Sequence, residues 1–339
     1  MSEISQSTSD PDLNPARLKD PDYTPPMLKA VPLGIQHTLA MFAGNVTVPI
    51  IIANAAGLDG ADKVFLIQMA MLAAGIATLL QTIGAGPIGA RLPIMQGTSF
   101  AFIPVMIPVA AAIKGTDALG IIFAASLAGG IFHFLIGTVI GRFRRALPPL
   151  ITGLVVATIG LSLLPIGVEY VGGGKFAKFV TKDFGAWYHI LLGSAVIVII
   201  LGVKFLTKGM TSASAILIGL VAGYVIAFPM GMVKTANIAN ASWFAFPEPL
   251  KYGLTFTSDN VDTQGIITAA IIGMCLMAIV SAIETVGDIS GITKGGAGRE
   301  ATDKEIAGGT MADGLGTALG SLLAPCLILH TVKMLVLFH

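Results

Sequence analysis

The sequence predicts an all-α polytopic membrane protein, and three observations support that prediction. Of its 339 residues, 54% are hydrophobic and only 12% are charged, against roughly a quarter charged in soluble domains. The mean hydropathy is +0.84. Apolar runs of about 20 residues, the length that crosses a bilayer core, recur from residue 30 onward. A net charge of +1 points to no nucleic-acid partner. Cys275 and Cys326 lie in apolar runs without ligand spacing, so neither a disulfide framework nor a metal site is expected.

Residues 1–28 are polar and lack the apolar core and small-residue cleavage site of a signal peptide, so they read as a disordered cytoplasmic tail. Runs at 30–55, 64–84, 118–140, 149–168, 187–203, 212–232 and 264–289 are each assigned a membrane helix, with a weaker eighth starting near Ala307. A cytoplasmic N-terminus places all six arginines inside (Arg17, Arg91, Arg142, Arg144, Arg145, Arg299), with GRFRR at 141–145 the strongest marker. The connection at 234–263 then lies outside, where Trp243 and Phe244 suit an interfacial segment, and Asn240-Ala241-Ser242 fits a glycosylation acceptor.

The stretch RLPIMQGTSFAFIPVMIP (91–108) is apolar enough to enter the bilayer, yet it places Pro93, Pro104 and Pro108 around Gln-Gly-Thr-Ser. Proline removes a backbone donor and clashes with the preceding turn. Thr98, Ser99, Phe100 and Phe102 favour extended backbone. A broken span is expected, with a short strand from about Ile94 to Phe102 and a helix from near Ile103; a continuous proline-kinked helix is the alternative. Irregular backbone at membrane depth is tolerated only where protein or a cavity covers it, as at the binding sites of secondary transporters.

Farther on, MCLMAIVSAIETVGDISG (274–291) puts Glu284 and Asp288 four residues apart on one helical face, at the end of an apolar run. Burying a charged carboxylate there costs a few kcal/mol, and two anions in low dielectric favour holding a proton. The competing reading has both facing water at a cytoplasmic helix end. Asp313, in GGTMADGLG, is either a third functional carboxylate or a cap or turn residue. His37, in GIQHTLAMFAGN, lies beside Gln36 with Asn45 two turns on, and serves as a helix-to-helix hydrogen bonder or a site residue. Together with Gln96, Thr98 and Ser99, these groups supply donors and acceptors for a polar, planar solute. GAGPIG (84–89) fits G-x-G-x-x-G but opens no βαβ unit, and GGAGREATDK (295–304) lacks Walker spacing, so nucleotide binding is not expected.

GIQHTLAMFAGN, QGTSFAF, ETVGDISG and GGTMADG, in this order, resemble the nucleobase–ascorbate transporter family, in particular its bacterial xanthine and uric-acid permeases. The resemblance runs from about Lys29 to Leu323. It implies fourteen spans in two inverted seven-span repeats, with a core domain that carries the base and a gate domain against which it moves. On that basis the core takes 29–146 (spans 1–4) and 264–323 (spans 8–9), and the gate takes 147–233 (spans 5–7). The resemblance implies that Glu284 bonds the ring nitrogens of a base, Asp288 is a second polar contact, and Phe100 offers its backbone N–H and ring face. Gln96 and Ser99 would complete the substrate site, while His37, Asp313 and Glu284 support proton coupling. It implies proton-coupled uptake of xanthine or uric acid across the cytoplasmic membrane, with no enzymatic activity, no cofactor beyond the proton, and a homodimer in the full-length form. A uracil or other nucleobase permease, and an inorganic-anion carrier or channel of the same architecture, remain as alternatives. An intramembrane aspartyl protease does not fit, because Asp288 sits in TVGD without the earlier glycine of G-x-G-D.

After Leu323 the resemblance implies a segment such as GALPNTSYSQNVGLV, with its Gln-Asn-x-Gly substrate contact, whereas this chain reads APCLILHTVKMLVLF. One permissible coding of the former, after loss of a single G at its start, translates as A-P-C-L-I-L-H-T-V-K-M-L-V-L. A single-base frameshift is therefore expected to have produced 324–339, leaving the second repeat incomplete and the chain inactive alone. The nucleotide sequence tests this: the alternative frame should encode Gln-Asn-x-Gly.

Overall fold

A computed structural model describes residues 26–143, 149–174, 177–208, 211–212, 214–233, 248–323 and 329–332. The expectations for residues 1–25, Arg144 and Arg145, the part of the connection at 234–247, and Cys326 lie outside the described residues. The helices are α1 (Met27–Ala56), α2 (Gly60–Ile83), α3 (Ile103–Ile113), α4 (Gly115–Phe143), α5 (Pro149–Val171), α6 (Trp187–Leu206), α7 (Ala215–Ala227), α8 (Val261–Ile292) and α9 (Asp303–Leu323). Two strands, β1 (Met95–Thr98) and β2 (Leu329–Val332), pair antiparallel, with Met95 opposite Val332 and Thr98 opposite Leu329.

Local chemistry sets several helix ends. Gly57, at φ 70, closes α1 in the left-handed conformation, and the Asp59 carboxylate caps α2 by accepting the Asp62 N–H at 2.9 Å. Asn260 Oδ1 accepts the Asp262 and Thr263 N–H groups at the start of α8. Thr302 and Glu305 form a reciprocal capping box at α9: the Glu305 N–H donates to Thr302 Oγ1 at 3.2 Å, and the Thr302 N–H donates to Glu305 Oε2 at 2.7 Å. Arg299 grips the same carboxylate with both guanidinium arms.

Among the described residues, six helices are long and apolar enough to cross a membrane, namely α1, α2, α4, α5, α6 and α8. Two expected spans differ from this pattern. Among the described residues of the run at 212–232, the 13-residue α7 ends at Ala227, because Pro229 cannot continue a helix and Gly231 turns the chain at φ 71. By contrast, α9 has spanning length but is not apolar. It is sheathed by protein, with thirteen residues from Ile306 to Ser321 buried, so small and polar groups such as Thr310, Asp313 and Thr317 replace an apolar surface.

The main packed body combines α1 to α4 with α8 and α9. Ile52, Leu66, Phe102, Ile103, Met106, Phe123 and Met274 form its largest apolar cluster. Glycines let α4 approach α9 backbone to backbone: a Cβ on Gly137 would lie 2.6 Å from the Met311 nitrogen, and one on Gly130 would lie 2.7 Å from the Ala318 nitrogen. A strap at 250–255 ties the ends of α2, α4 and α9. Tyr252 and Lys251 reach Asp62 at 2.5 and 3.4 Å, the Thr255 N–H donates to the Gly120 carbonyl at 3.0 Å, and the Leu250 N–H donates to that of Leu322 at 3.1 Å. Burial holds the Tyr252 hydroxyl far above its usual pKa, helped by Asp62.

Helices α5 and α6 bury almost none of their apolar surface within the described protein, which leaves faces suited to lipid or further helices. Before α6, the Thr181 and Tyr188 hydroxyls donate to Asp183, and His189 Nε2 lies 3.2 Å from it. These bonds hold the Asp183 carboxyl down to about 2, from 3.8. A depressed acid stabilises the fold above its unfolded value and loses that contribution as pH falls through the folded one. The loop is therefore expected to loosen between the unfolded value of 3.8 and the folded value of about 2. Trp187 fluorescence in a Trp243→Phe background should report the transition, and Asp183→Asn should remove it.

Candidate functional site

The interrupted span is a strand followed by a helix, not a kinked continuous helix. The strand is shorter than the Ile94–Phe102 expected, at Met95–Thr98, and α3 starts at Ile103 with Pro104 in its first turn. One edge of β1 is satisfied by side chains from two helices. The Gln96 N–H donates to Thr78 Oγ1 of α2, and the Thr98 N–H donates to Asn45 Oδ1 of α1, both at 2.9 Å. Thr98 Oγ1 returns to the Gly44 and Asn45 carbonyls at 3.2 and 3.3 Å. The other edge pairs with β2. Thus residues 329–332, expected to be an accident of reading frame, supply a partner strand by backbone bonds that need no particular side chains.

Gln96 and Ser99 are buried, at 0% and 4% exposure. Ser99 Oγ accepts the Ala101 N–H at 3.2 Å and bends the chain toward α3. Phe100 is half-buried, and a Cβ built on Gly44 would lie 4.0 Å from its Cε2, so α1 passes close to the ring. His37 is half-buried, two turns before Asn45 on the same helix.

The carboxylates come from α8 and α9. Asp288 is 3% exposed, which opposes the reading of a water-facing helix end, and Glu284 one turn earlier is half-buried. Asp313 is completely buried in the middle of α9, so it is neither cap nor turn residue, and it accepts the Thr285 hydroxyl at 2.5 Å. β1 packs chiefly on α1, α2 and β2, whereas α8 and α9 meet β2. β2 thus touches both the strand of the broken span and the two helices that carry the carboxylates. No cluster of three or more His, Cys, Asp and Glu able to hold a metal occurs among the described residues.

Two polar participants have no motif of their own to reveal them: Thr78 is an ordinary-looking threonine in a helical run, and Thr285 is hidden inside ETVGD.

A sequence model described as "Permease family", Xan_ur_permease, matches residues 28–327. The chain belongs to the nucleobase–ascorbate transporter family. It is 34% identical over 295 residues to the uric acid permease PucJ of Bacillus subtilis, covering 87% of this chain and 63% of the relative. Identity to the uric acid transporter UacT of Escherichia coli is also 34% over 295 residues, covering 86% and 58%. The xanthine permease XanQ of Escherichia coli is 31% identical over 310 residues, with 88% and 64% covered. The chain thus spans about three fifths of the length of these relatives. Among solved structures, the transmembrane domain of the cyanobacterial bicarbonate transporter BicA matches with a TM-score of 0.56 at 16% identity, covering 89% of this chain and 75% of that one. The family member therefore shares that transmembrane fold, and the polytopic helical class expected from sequence holds.

Proposed function

We propose that the whole protein takes up a purine nucleobase, xanthine or uric acid, across the cytoplasmic membrane together with a proton. The observation that carries the reading is the burial of Asp288 and Asp313, with Glu284 half-buried beside them, in a chain whose relatives are named xanthine and uric acid permeases. Intramembrane carboxylates are costly and mark solute or proton paths. In this reading Glu284 and Asp288 bond the polar edge of the base, and Gln96, Ser99 and Phe100 present the strand and an aromatic face. Stacking on such a ring contributes about 1–3 kcal/mol. His37, Asp313 and Glu284 exchange the coupling proton.

The same reading makes 29–146 and 264–323 the core that moves, and 147–233 the gate; sparse burial of α5 and α6 suits a separate body. It includes a cytoplasmic N-terminus and a homodimer of the full-length form. Uptake of radiolabelled xanthine, uric acid and uracil by cells expressing the protein, with and without a protonophore, tests it. Xanthine or uric acid uptake that collapses with the proton gradient is expected. Uracil uptake alone would move the substrate to a pyrimidine, and bicarbonate uptake without any base would sink the nucleobase reading.

A further inference from the structure

We propose that Asn45 and Thr78 are positioning residues, which hold β1 as a fixed part of the α1–α2 pair and thereby set where Phe100 meets the substrate. The placement of substrate at Phe100 rests on the nucleobase reading; the bracing itself does not. A buried strand needs a partner for every backbone N–H, and here alternate donors go in opposite directions. Those of Gln96 and Thr98 end on Thr78 Oγ1 and Asn45 Oδ1, at 2.9 Å each, while the opposite edge faces β2. Two helix side chains thus replace a third strand.

Asn45 is suited to this task and costly for any other. It is 1% exposed, in an apolar helix where an amide is favourable only with partners, and its Nδ2 contacts Met71 Sδ at 3.0 Å. The next strand residue after Thr98 is Ser99, whose hydroxyl fixes the bend, and then Phe100. The residue before Asn45 is Gly44, on which a Cβ would lie at ordinary van der Waals distance, 4.0 Å, from the Phe100 ring, so this turn of α1 runs alongside the ring. One turn of α1 therefore holds the strand backbone through Asn45 and abuts the aromatic ring through Gly44. The β2 edge can change its partner without moving β1, because the α1 and α2 bonds lie on the other side.

The test combines amide hydrogen exchange with equilibrium binding of radiolabelled uric acid and xanthine, both on the purified 339-residue chain in nanodiscs. The variants are Asn45→Leu, which removes the acceptor at similar size, Thr78→Val, which does so with less disturbance, and Thr78→Ser, which keeps the hydroxyl. Exchange in the peptide covering Gln96 to Phe100 should accelerate roughly fivefold in the first two, as expected for loss of a hydrogen bond of about 1 kcal/mol. Base affinity should fall by a similar factor, and Thr78→Ser should match the parent in both. If Asn45→Leu fails to fold, Thr78→Val decides. Unchanged exchange overturns the bracing. Faster exchange with unchanged affinity overturns the positioning role. An absence of base binding by the parent chain is what loss of the Gln-Asn-x-Gly segment expected after Leu323 would produce; it leaves the nucleobase reading to the whole protein, and exchange then decides the bracing.

Discussion

Gly314→Ala is expected to melt the protein well below the parent, through one added methyl group. A Cβ at this position would lie 2.2 Å from the Phe134 nitrogen, 2.6 Å from its Cα and 2.8 Å from the His133 carbonyl carbon. All three are backbone atoms of α4, so no side chain can swing aside. The helices must separate along a seam where Gly130, Gly137 and Gly141 make comparable approaches. Separation also disturbs Asp313, the neighbouring residue, and its bond from Thr285. Overpacking a core costs about 1–3 kcal/mol, and a clash with rigid backbone belongs at the upper end. Thermal melting of the detergent-solubilised protein measures this. Gly291→Ala is the control, because nothing lies within 4 Å of its added Cβ, and alanine favours a helix over glycine by about 1 kcal/mol. A Gly314→Ala protein as stable as Gly291→Ala would refute the account of the seam.

The same seam explains what the sequence showed poorly. Hydropathy ranks helices by their fitness for lipid, so α9, which faces protein, reads as a weak span, and Asp313 among glycines reads equally as a functional carboxylate and as a cap or turn residue. Those glycines serve close approach instead. In GAGPIG, Gly84 and Gly89 adopt φ 76 and 96, and the Gly89 N–H donates to the Gly308 carbonyl at 2.8 Å. That match to a nucleotide motif is a packing joint between the loop after α2 and the start of α9. The broken span was legible because proline and β-favouring residues act locally, at Pro93, Pro104 and QGTS. Its supports were not, since Asn45 and Thr78 precede Thr98 and Gln96 by 53 and 18 residues, and no local pattern links an amide in one helix to a distant backbone donor. For α7, the early stop was visible in Pro229 and Gly231, but the apolar composition on both sides obscured it.

Glu284→Ala is expected to abolish binding of the base, whereas Glu284→Gln should weaken it and uncouple it from protons. Glu284 is half-buried one turn before the buried Asp288, with Ser281, Ala282 and Thr285 packed inside the protein around it. A hydrogen bond to a charged partner contributes about 1.5–3 kcal/mol, or roughly 10- to 150-fold in affinity. Alanine removes both carboxyl oxygens and leaves the polar edge of a bound base to lose water without compensation, which adds to the loss. Glutamine keeps the shape and one acceptor oxygen, but its amide cannot take up a proton. Binding isotherms for xanthine and uric acid, together with proton-driven uptake, separate the two roles: the parent should bind, Glu284→Gln should bind more weakly without proton-driven uptake, and Glu284→Ala should show no measurable binding. Asp313→Asn distinguishes contact from support: its amide oxygen still accepts the Thr285 hydroxyl, so base affinity should survive while proton-driven uptake falls. Unchanged base affinity in Glu284→Ala would remove that residue from the site, and a loss of affinity in Asp313→Asn equal to that of Glu284→Ala would make Asp313 a direct contact.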